Sequence, residues 1–151
     1  MRRRNLCRPK RGRLFQETLR RRPFWMLVAC QLVNLTTWEQ ARPALRSIMR
    51  RYTIRDLAKA RPRELHMILR PLGLWRRRAD ILPRMARHWL EYRSLDDMVG
   101  VGQYARHSWE IFMEGRRPRG VRDGKLRWYL NECRPRGSGR ILDRRPRTQH
   151  R

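Results

Sequence analysis

The predicted fold depends first on one short stretch, Val99-Gly100-Val101-Gly102-Gln103-Tyr104. Its two glycines stand one residue apart, just ahead of a helical pattern that runs from Tyr104 to Met113. Glycine lets the backbone turn tightly and approach a ligand closely. The free N–H groups and the positive dipole end of the following helix attract a phosphate. The stretch therefore predicts a hairpin between two helices that binds a phosphate, with a plain tight turn as the alternative.

Helical patterns also fill the chain on both sides of this stretch. Apolar residues recur at helical spacing, and capping residues such as Thr37 and Ser94 precede several of the patterns. No alternation of apolar and polar residues indicates a β-strand, so the predicted class is all-α. Predicted helices begin near Pro23, Thr37, Thr53, Pro62, Leu74, Tyr104 and Lys125, and the one at Thr53 is short.

Charge divides the chain into three parts. The sequence has 39 Lys and Arg against 13 Asp and Glu, a net charge of +26. Residues 1–22 carry a net charge of +9 and residues 134–151 carry +6, while residues 23–133 hold nearly all the large apolar side chains. We therefore predict a basic N-terminal arm at 1–22, one helical domain at 23–133 and a basic C-terminal tail at 134–151. Nucleic acid is the first candidate partner for such a charge, and an anionic membrane is the second.

The composition excludes several classes of protein. The longest apolar run, Phe24 to Cys30, is much shorter than the about 20 residues that span a bilayer. The N-terminal pattern is not that of a secretory signal, so we expect neither a membrane span nor secretion. The three cysteines and four histidines are scattered, which argues against a disulfide framework, a zinc site or an iron–sulfur cluster. No metal and no cofactor are expected.

A second stretch, Asp123-Gly124-Lys125-Leu126, opens the last predicted helix. Asp123 follows Tyr104 by 19 residues, in a chain that is poor in acidic residues. A carboxylate at this position could cap the helix, form a surface salt bridge or take part in catalysis. Its position alone leaves these three roles open.

Four motifs resemble those of one enzyme family, in the same order along the chain. The hairpin glycines, the helix after them and an aspartate about twenty residues later are similar to the signature of the helix-hairpin-helix DNA glycosylase superfamily. Within it, the similarity is greatest to the mismatch-specific thymine/uracil glycosylase domain of methyl-CpG-binding glycosylases, over about residues 23–133. The four motifs are Leu32-Val33-Asn34-Leu35-Thr36-Thr37, Arg70-Pro71-Leu72-Gly73-Leu74, Gly100-Val101-Gly102-Gln103-Tyr104 and Asp123-Gly124-Lys125-Leu126.

The resemblance implies a compact helical bundle around a cleft, and a monofunctional glycosylase of base excision repair. Such an enzyme flips out thymine, uracil or a 5-substituted uracil from a mismatch with guanine and removes it. Asp123 aligns with the catalytic aspartate, which stabilises positive charge on the deoxyribose and helps to position or deprotonate water. Tyr104 falls where lyase-competent relatives carry a Schiff-base lysine, and it would pack on the flipped pyrimidine; packing in the core is the alternative.

The implied partner is double-stranded DNA that contains a damaged or mismatched pyrimidine, bound by a monomer. The implied compartment is the one that holds the DNA, the nucleoid of a bacterium or phage-infected cell or a eukaryotic nucleus.

The resemblance also assigns contacts with DNA. Asn34, Leu35 and Leu74 stand where the family fills the gap left by the flipped base. Leu35 departs from the pattern, because close relatives have arginine there and leucine cannot hydrogen-bond to a base or a phosphate. Burial under its own helix is the alternative for Leu74. The remaining predicted contacts are Gly100, Val101, Gly102, Arg76, Arg77, Arg78, Arg122 and Lys125.

Three other functions stay open from the sequence. The first is a non-catalytic DNA-binding protein that keeps the hairpin. The second is a phage-type enzyme that modifies a flipped pyrimidine, which needs an extra pocket for a donor. A ribosomal-type or membrane-surface protein fits the charge but leaves the four motifs unexplained.

Overall fold

The computed structural model describes residues 14–91 and 94–133 of the chain. Two short 3-10 helices, Arg70–Leu72 and Leu95–Asp97, join the α-helices within these residues. The described residues contain no β-strand, so the predicted all-α class is confirmed. The α-helices are α1 (Phe15–Thr18), α2 (Pro23–Leu32), α3 (Trp38–Arg51), α4 (Ile54–Lys59), α5 (Pro62–Leu69), α6 (Trp75–Leu90), α7 (Gln103–Phe112) and α8 (Gly124–Glu132).

Helix α2 lies at the centre of the domain. Seven of its 10 residues are buried, on all sides of the helix, as expected for a helix that others surround. It contacts α3, α6 and α7. Pro23 occupies its first turn, where the missing N–H of proline breaks no helical hydrogen bond.

Helices α3 and α6 have one apolar face each, and they pack around α2. The predicted capping box starts α3: Thr37 Oγ1 accepts from the Gln40 N–H at 3.3 Å, and Gln40 Oε1 accepts from the Thr37 N–H at 3.2 Å. Helix α6 also packs against α4 and α5. No helix in the described part of the chain combines the length and the apolarity that crossing a bilayer demands.

The hairpin between the short helix Leu95–Asp97 and α7 packs directly on α6. Gly100 has a φ of 78°, and a Cβ atom there would lie 2.6 Å from Ile81 Cγ2 and 2.9 Å from Met85 Sδ. Gly102 has a φ of −91° and open space where a Cβ would be. The first glycine is therefore required by packing, while the second leaves room beside the N-terminus of α7.

Residues 14–22 pack on the domain, although they form part of the stretch predicted as a basic arm. Phe15 stacks on Trp38 with ring centroids 4.7 Å apart, and Leu19 is buried. Arg20 Nε donates to the carbonyl of Phe112 at 3.2 Å. The high charge of residues 1–22 hides these few apolar residues in the sequence. Residues 1–13 of the predicted arm and the predicted tail at 134–151 lie outside the described residues.

Candidate active site

A cavity of about 900 Å³ opens beside α2 and the N-terminus of α7. Four separate parts of the chain line it: residues 14–16, residues within 30–40, residues within 100–105, and residues 123 and 125. Tyr104 and Asp123 are both in its wall. The fold therefore brings the two predicted catalytic residues to one space.

Asp123 is the N-cap of α8 and also lines the cavity. Its Oδ1 accepts a hydrogen bond from the Leu126 N–H at 2.9 Å, which is the cap that the sequence pattern allowed. The side chain is half-buried. Since the cap uses one carboxylate oxygen, capping and a role in the cavity do not compete for the same atom.

Tyr104 is half-buried and also lines the cavity. Its hydroxyl accepts a hydrogen bond from Gln16 Nε2 at 2.8 Å. Burial raises the pKa of the Tyr104 phenol above its ordinary value, and the nearby Cys30 and Asp123 raise it further. The phenol is therefore protonated at any physiological pH, and it offers the cavity a neutral ring with an O–H donor.

Gln16 is a candidate functional residue that sequence reasoning missed. It is 1% exposed, and its Nε2 also donates to Ser108 Oγ at 3.2 Å. Among the buried side-chain nitrogen and oxygen atoms in the described part of the chain, only Gln16 Oε1 has no hydrogen-bond partner. Leaving a buried acceptor unpaired costs about 1–3 kcal/mol, so such an atom calls for a functional explanation. A ligand donor in the cavity would provide one.

Cys30 lines the same cavity from α2. Burial raises the pKa of its thiol to about 12, although a hydrogen bond with Ser108 acts in the opposite direction. Because the thiolate is the reactive form, this thiol is neutral and chemically inert. Cys30 therefore contributes a weakly polar surface rather than a nucleophile.

Leu35 and Leu74 both have a left-handed backbone, with φ values of 58° and 44°. This conformation costs a non-glycine residue about 1–2 kcal/mol. Neither side chain gains full packing in return, since Leu35 is 90% exposed and Leu74 is 49% exposed. Leu74 is thus not buried under its own helix, and Leu35 lies at the edge of the cavity.

The prediction that Arg78 contacts a DNA phosphate is wrong, because its side chain is buried where a phosphate cannot reach it. The residue is 2% exposed, and burial lowers the pKa of its guanidinium from the ordinary value. Nη1 donates to the carbonyls of Leu72 at 2.8 Å and Gly73 at 3.1 Å. Nη2 donates to the carbonyl of Asn34 and to Thr36 Oγ1. Its role is to join two loops, and the predicted phosphate contact does not fit the structure.

The other predicted DNA contacts have different surroundings. Asn34, Gly102 and Lys125 line the cavity. Gly100 lines the cavity too, and the position of its absent Cβ faces α6. Val101 is buried and does not line the cavity. Three predicted contacts are exposed and lie outside the cavity wall: Arg76, Arg77 and Arg122. The Arg76 guanidinium lies 4.6 Å from the Trp75 ring centroid.

The described residues contain no group of three or more His, Cys, Asp or Glu side chains that could hold a metal ion. The polar side chains that line the cavity include the carboxylates of Glu39 and Asp123, the phenol of Tyr104, the ammonium of Lys125, the hydroxyls of Thr36 and Thr37, and the carboxamides of Gln16, Gln31, Asn34, Gln40 and Gln103.

Two comparisons with known proteins agree. A family profile described as "HhH-GPD superfamily base excision DNA repair protein" matches residues 30–140. A curated protein of Arabidopsis thaliana, the "Methyl-CpG-binding domain protein 4-like protein", is 28% identical over 105 residues, which are 68% of this chain and 24% of the relative. The chain therefore spans about a quarter of the length of that relative.

Proposed function

The chain belongs to the HhH-GPD superfamily of base excision DNA repair proteins, and from this premise we propose that it is a monofunctional DNA glycosylase that removes thymine or uracil from duplex DNA. The observation that carries the proposal is one cavity that Asp123, Tyr104 and Gln16 line together, with Gln16 Oε1 buried and unpaired. Its volume of about 900 Å³ is in the range that accommodates a small ligand. A flipped nucleotide is such a ligand.

The groups in the cavity suit a flipped pyrimidine with an N–H donor. A base must leave the stack before an enzyme can reach its glycosidic bond. Thymine and uracil carry an N–H at ring position 3, and in this proposal the Gln16 side chain turns toward the base so that its unpaired, buried Oε1 accepts from that N–H. The ring of Tyr104 can pack on the face of the base.

Asp123 is the proposed catalytic carboxylate. As the glycosidic bond breaks, its electron pair leaves with the base and positive charge develops on the deoxyribose. A carboxylate beside the sugar stabilises that charge, and it can accept the proton of the water that attacks the anomeric carbon. The products are a free base and an abasic site. Tyr104 has no amine with which to form an imine, so the position that carries the Schiff-base lysine in lyase-competent relatives cannot cleave the strand in this proposal.

We propose that a mismatch with guanine marks the substrate. A mismatched pyrimidine costs less to unpair than a matched one, which favours its extrusion. Leu35 can fill the space left behind but has no hydrogen-bond donor for the opposite base. In this proposal, weak pairing contributes more to selection than contacts with guanine do.

The experiment is a panel of duplexes, each with one thymine, uracil, 5-substituted uracil or halogenated uracil opposite guanine, scored for alkali-labile abasic sites. Replacement of Asp123 by Asn keeps an oxygen for the helix cap and removes the charge. We expect base release to fall by about 100-fold or more, because the developing charge on the sugar loses its partner.

Asp56→Asn is the matched control. Asp56 also accepts hydrogen bonds at the start of a helix, from the Thr53 N–H and hydroxyl at 3.2 Å and 2.6 Å, but it is absent from the cavity wall. This variant should release base at the native rate. Native protein that binds duplex DNA and releases no base from any member of the panel would favour the non-catalytic alternative instead.

A further inference from the structure

Two loops carry the exposed leucines, and one buried arginine joins them. The first loop contains Leu35, between Asn34 and Thr36, and the second contains Leu74, after Gly73. Arg78 donates from one guanidinium to acceptors in both loops. We call Arg78 and these hydrogen bonds the loop brace.

The loop brace is attached immediately beside each leucine. In the first loop, the carbonyl before Leu35 and the Thr36 hydroxyl after it accept from Nη2, the latter at 3.0 Å. In the second loop, the carbonyl of Gly73, directly before Leu74, accepts from Nη1 at 3.1 Å. Thr36 Oγ1 also donates to the carbonyl of Leu72 at 3.3 Å, which adds a direct link between the loops.

The two leucines need such support. Each has a positive φ and a largely solvent-exposed side chain, so neither its own backbone preference nor its packing holds it in place. Arginine suits the task, because its planar fork donates in several fixed directions at once and lysine cannot reproduce that geometry. The hydrogen bond from Arg78 to Leu72 is buried, and the other three are partly buried.

On the basis of the proposed function, we propose that Arg78 is a positioning residue that holds Leu35 and Leu74 as one rigid pair, which occupies the opened base stack while the pyrimidine is outside it. Apolar side chains that enter a base step keep it unstacked. Side chains that are already fixed lose less freedom on binding than mobile ones do. The loop brace thus acts on the opening of the duplex rather than on the breaking of the glycosidic bond.

The test uses a duplex with uracil opposite guanine and 2-aminopurine next to the uracil, since 2-aminopurine becomes brighter when it is unstacked. We expect native protein to raise the fluorescence, and Arg78→Lys and Arg78→Met to lose most of that rise. Affinity for an unmodified duplex should stay within about threefold of native, because the buried Arg78 contacts no phosphate. Arg84→Met is the control, as Arg84 is half-exposed on the same helix and pairs with Asp80 at 3.4 Å. It removes one charge and should keep the full rise.

Rates of base release distinguish the loss of the loop brace from a general loss of structure in the Arg78 variants. Arg78→Lys should release paired uracil about tenfold more slowly, because misplaced groups lose much of their effect, but should release uracil from a bulge at nearly the native rate. If the Arg78 variants do not fold, Thr36→Val removes one acceptor and one donor of the loop brace, and it should lower the fluorescence rise partially.

Three results would overturn the proposal: a full rise with every variant, equal losses of rate on paired and bulged uracil, or no rise with native protein. A native protein that gives the rise but releases no base would leave the loop brace intact and refute the glycosylase function.

Discussion

At the scale of single residues, the two non-glycine residues with a positive φ in the described part of the chain have exposed side chains. Leu35 and Leu74 hold conformations that favour glycine, and both project toward solvent. Strained residues persist only where the surrounding structure holds them, and they concentrate at functional sites. In this protein the surrounding structure includes the hydrogen bonds of Arg78.

Substitution of Leu35 should therefore separate stability from function. Leu35→Gly relieves the strain, whereas Leu35→Ala keeps it, and both remove the side chain. We expect the Gly variant to be more stable than the Ala variant by about 1 kcal/mol in urea unfolding, because glycine accepts a positive φ at little cost. Both variants should release mismatched uracil more slowly than native protein. An Ala variant as stable as the Gly variant would show that the backbone at position 35 is not strained.

The sequence predicted individual site residues unevenly. Asp123 and Tyr104 belong to local motifs, and the structure puts both in the cavity wall. Gln16 could not be found in the same way, since its partner Tyr104 lies 88 residues away. The burial of Arg78 could have been predicted from helical spacing. Arg78 lies on the same face of α6 as the buried Leu82 and Met85, whereas Arg76 and Arg77 lie on other faces.

At the scale of elements, the hairpin depends on two glycines for different reasons. Gly100→Ala combines a positive φ with a Cβ too close to Ile81 and Met85, and should destabilise the fold by about 2–4 kcal/mol. Gly102→Ala has open space and an ordinary φ, so its unfolding free energy should change by less than about 1 kcal/mol. Urea unfolding of the two variants measures the difference. Equal losses at both positions would contradict the packing of Gly100 on α6.

Helix starts were predictable where the signal is local. Thr37 and Thr53 each accept the backbone N–H three residues later, as their patterns indicated. Helix α1 was not predictable, because four residues between arginines show no periodicity. It is held by tertiary contacts, among them the stacking of Phe15 on Trp38 and the hydrogen bonds of Gln16.

At the scale of the whole molecule, net charge does not show how many arginines already donate to the backbone of the protein. Several arginines donate to backbone carbonyls at the ends of helices and in loops, where carbonyls lack helical partners. These arginines serve the fold, and a charge count cannot distinguish them from phosphate contacts. They are Arg20, Arg78, Arg87, Arg106 and Arg117, which donate to Phe112, Leu72, Ala58, Asp96 and Leu130 respectively.

The salt dependence of DNA binding measures how many basic residues contact phosphates. The logarithm of the binding constant for duplex DNA should fall linearly with the logarithm of salt concentration, by about 0.9 per phosphate neutralised. Removal of residues 134–151, which carry a net charge of +6, should flatten that slope and leave the single-turnover rate of base release at saturation unchanged. Identical slopes before and after truncation would exclude the tail from the interface with DNA.

The cavity takes its walls from residues 14–16 near one end of the described chain and from residues 123 and 125 near the other. Gln16 and Asp123 lie far apart in the sequence, so during synthesis the pocket can form only after the ribosome has added Asp123. An interrupted translation product that ends before Asp123 has the leucines and many of the arginines but lacks the acid. Under the proposed function, such a fragment lacks the catalytic carboxylate and part of the pocket wall, so we expect it to release no base from DNA.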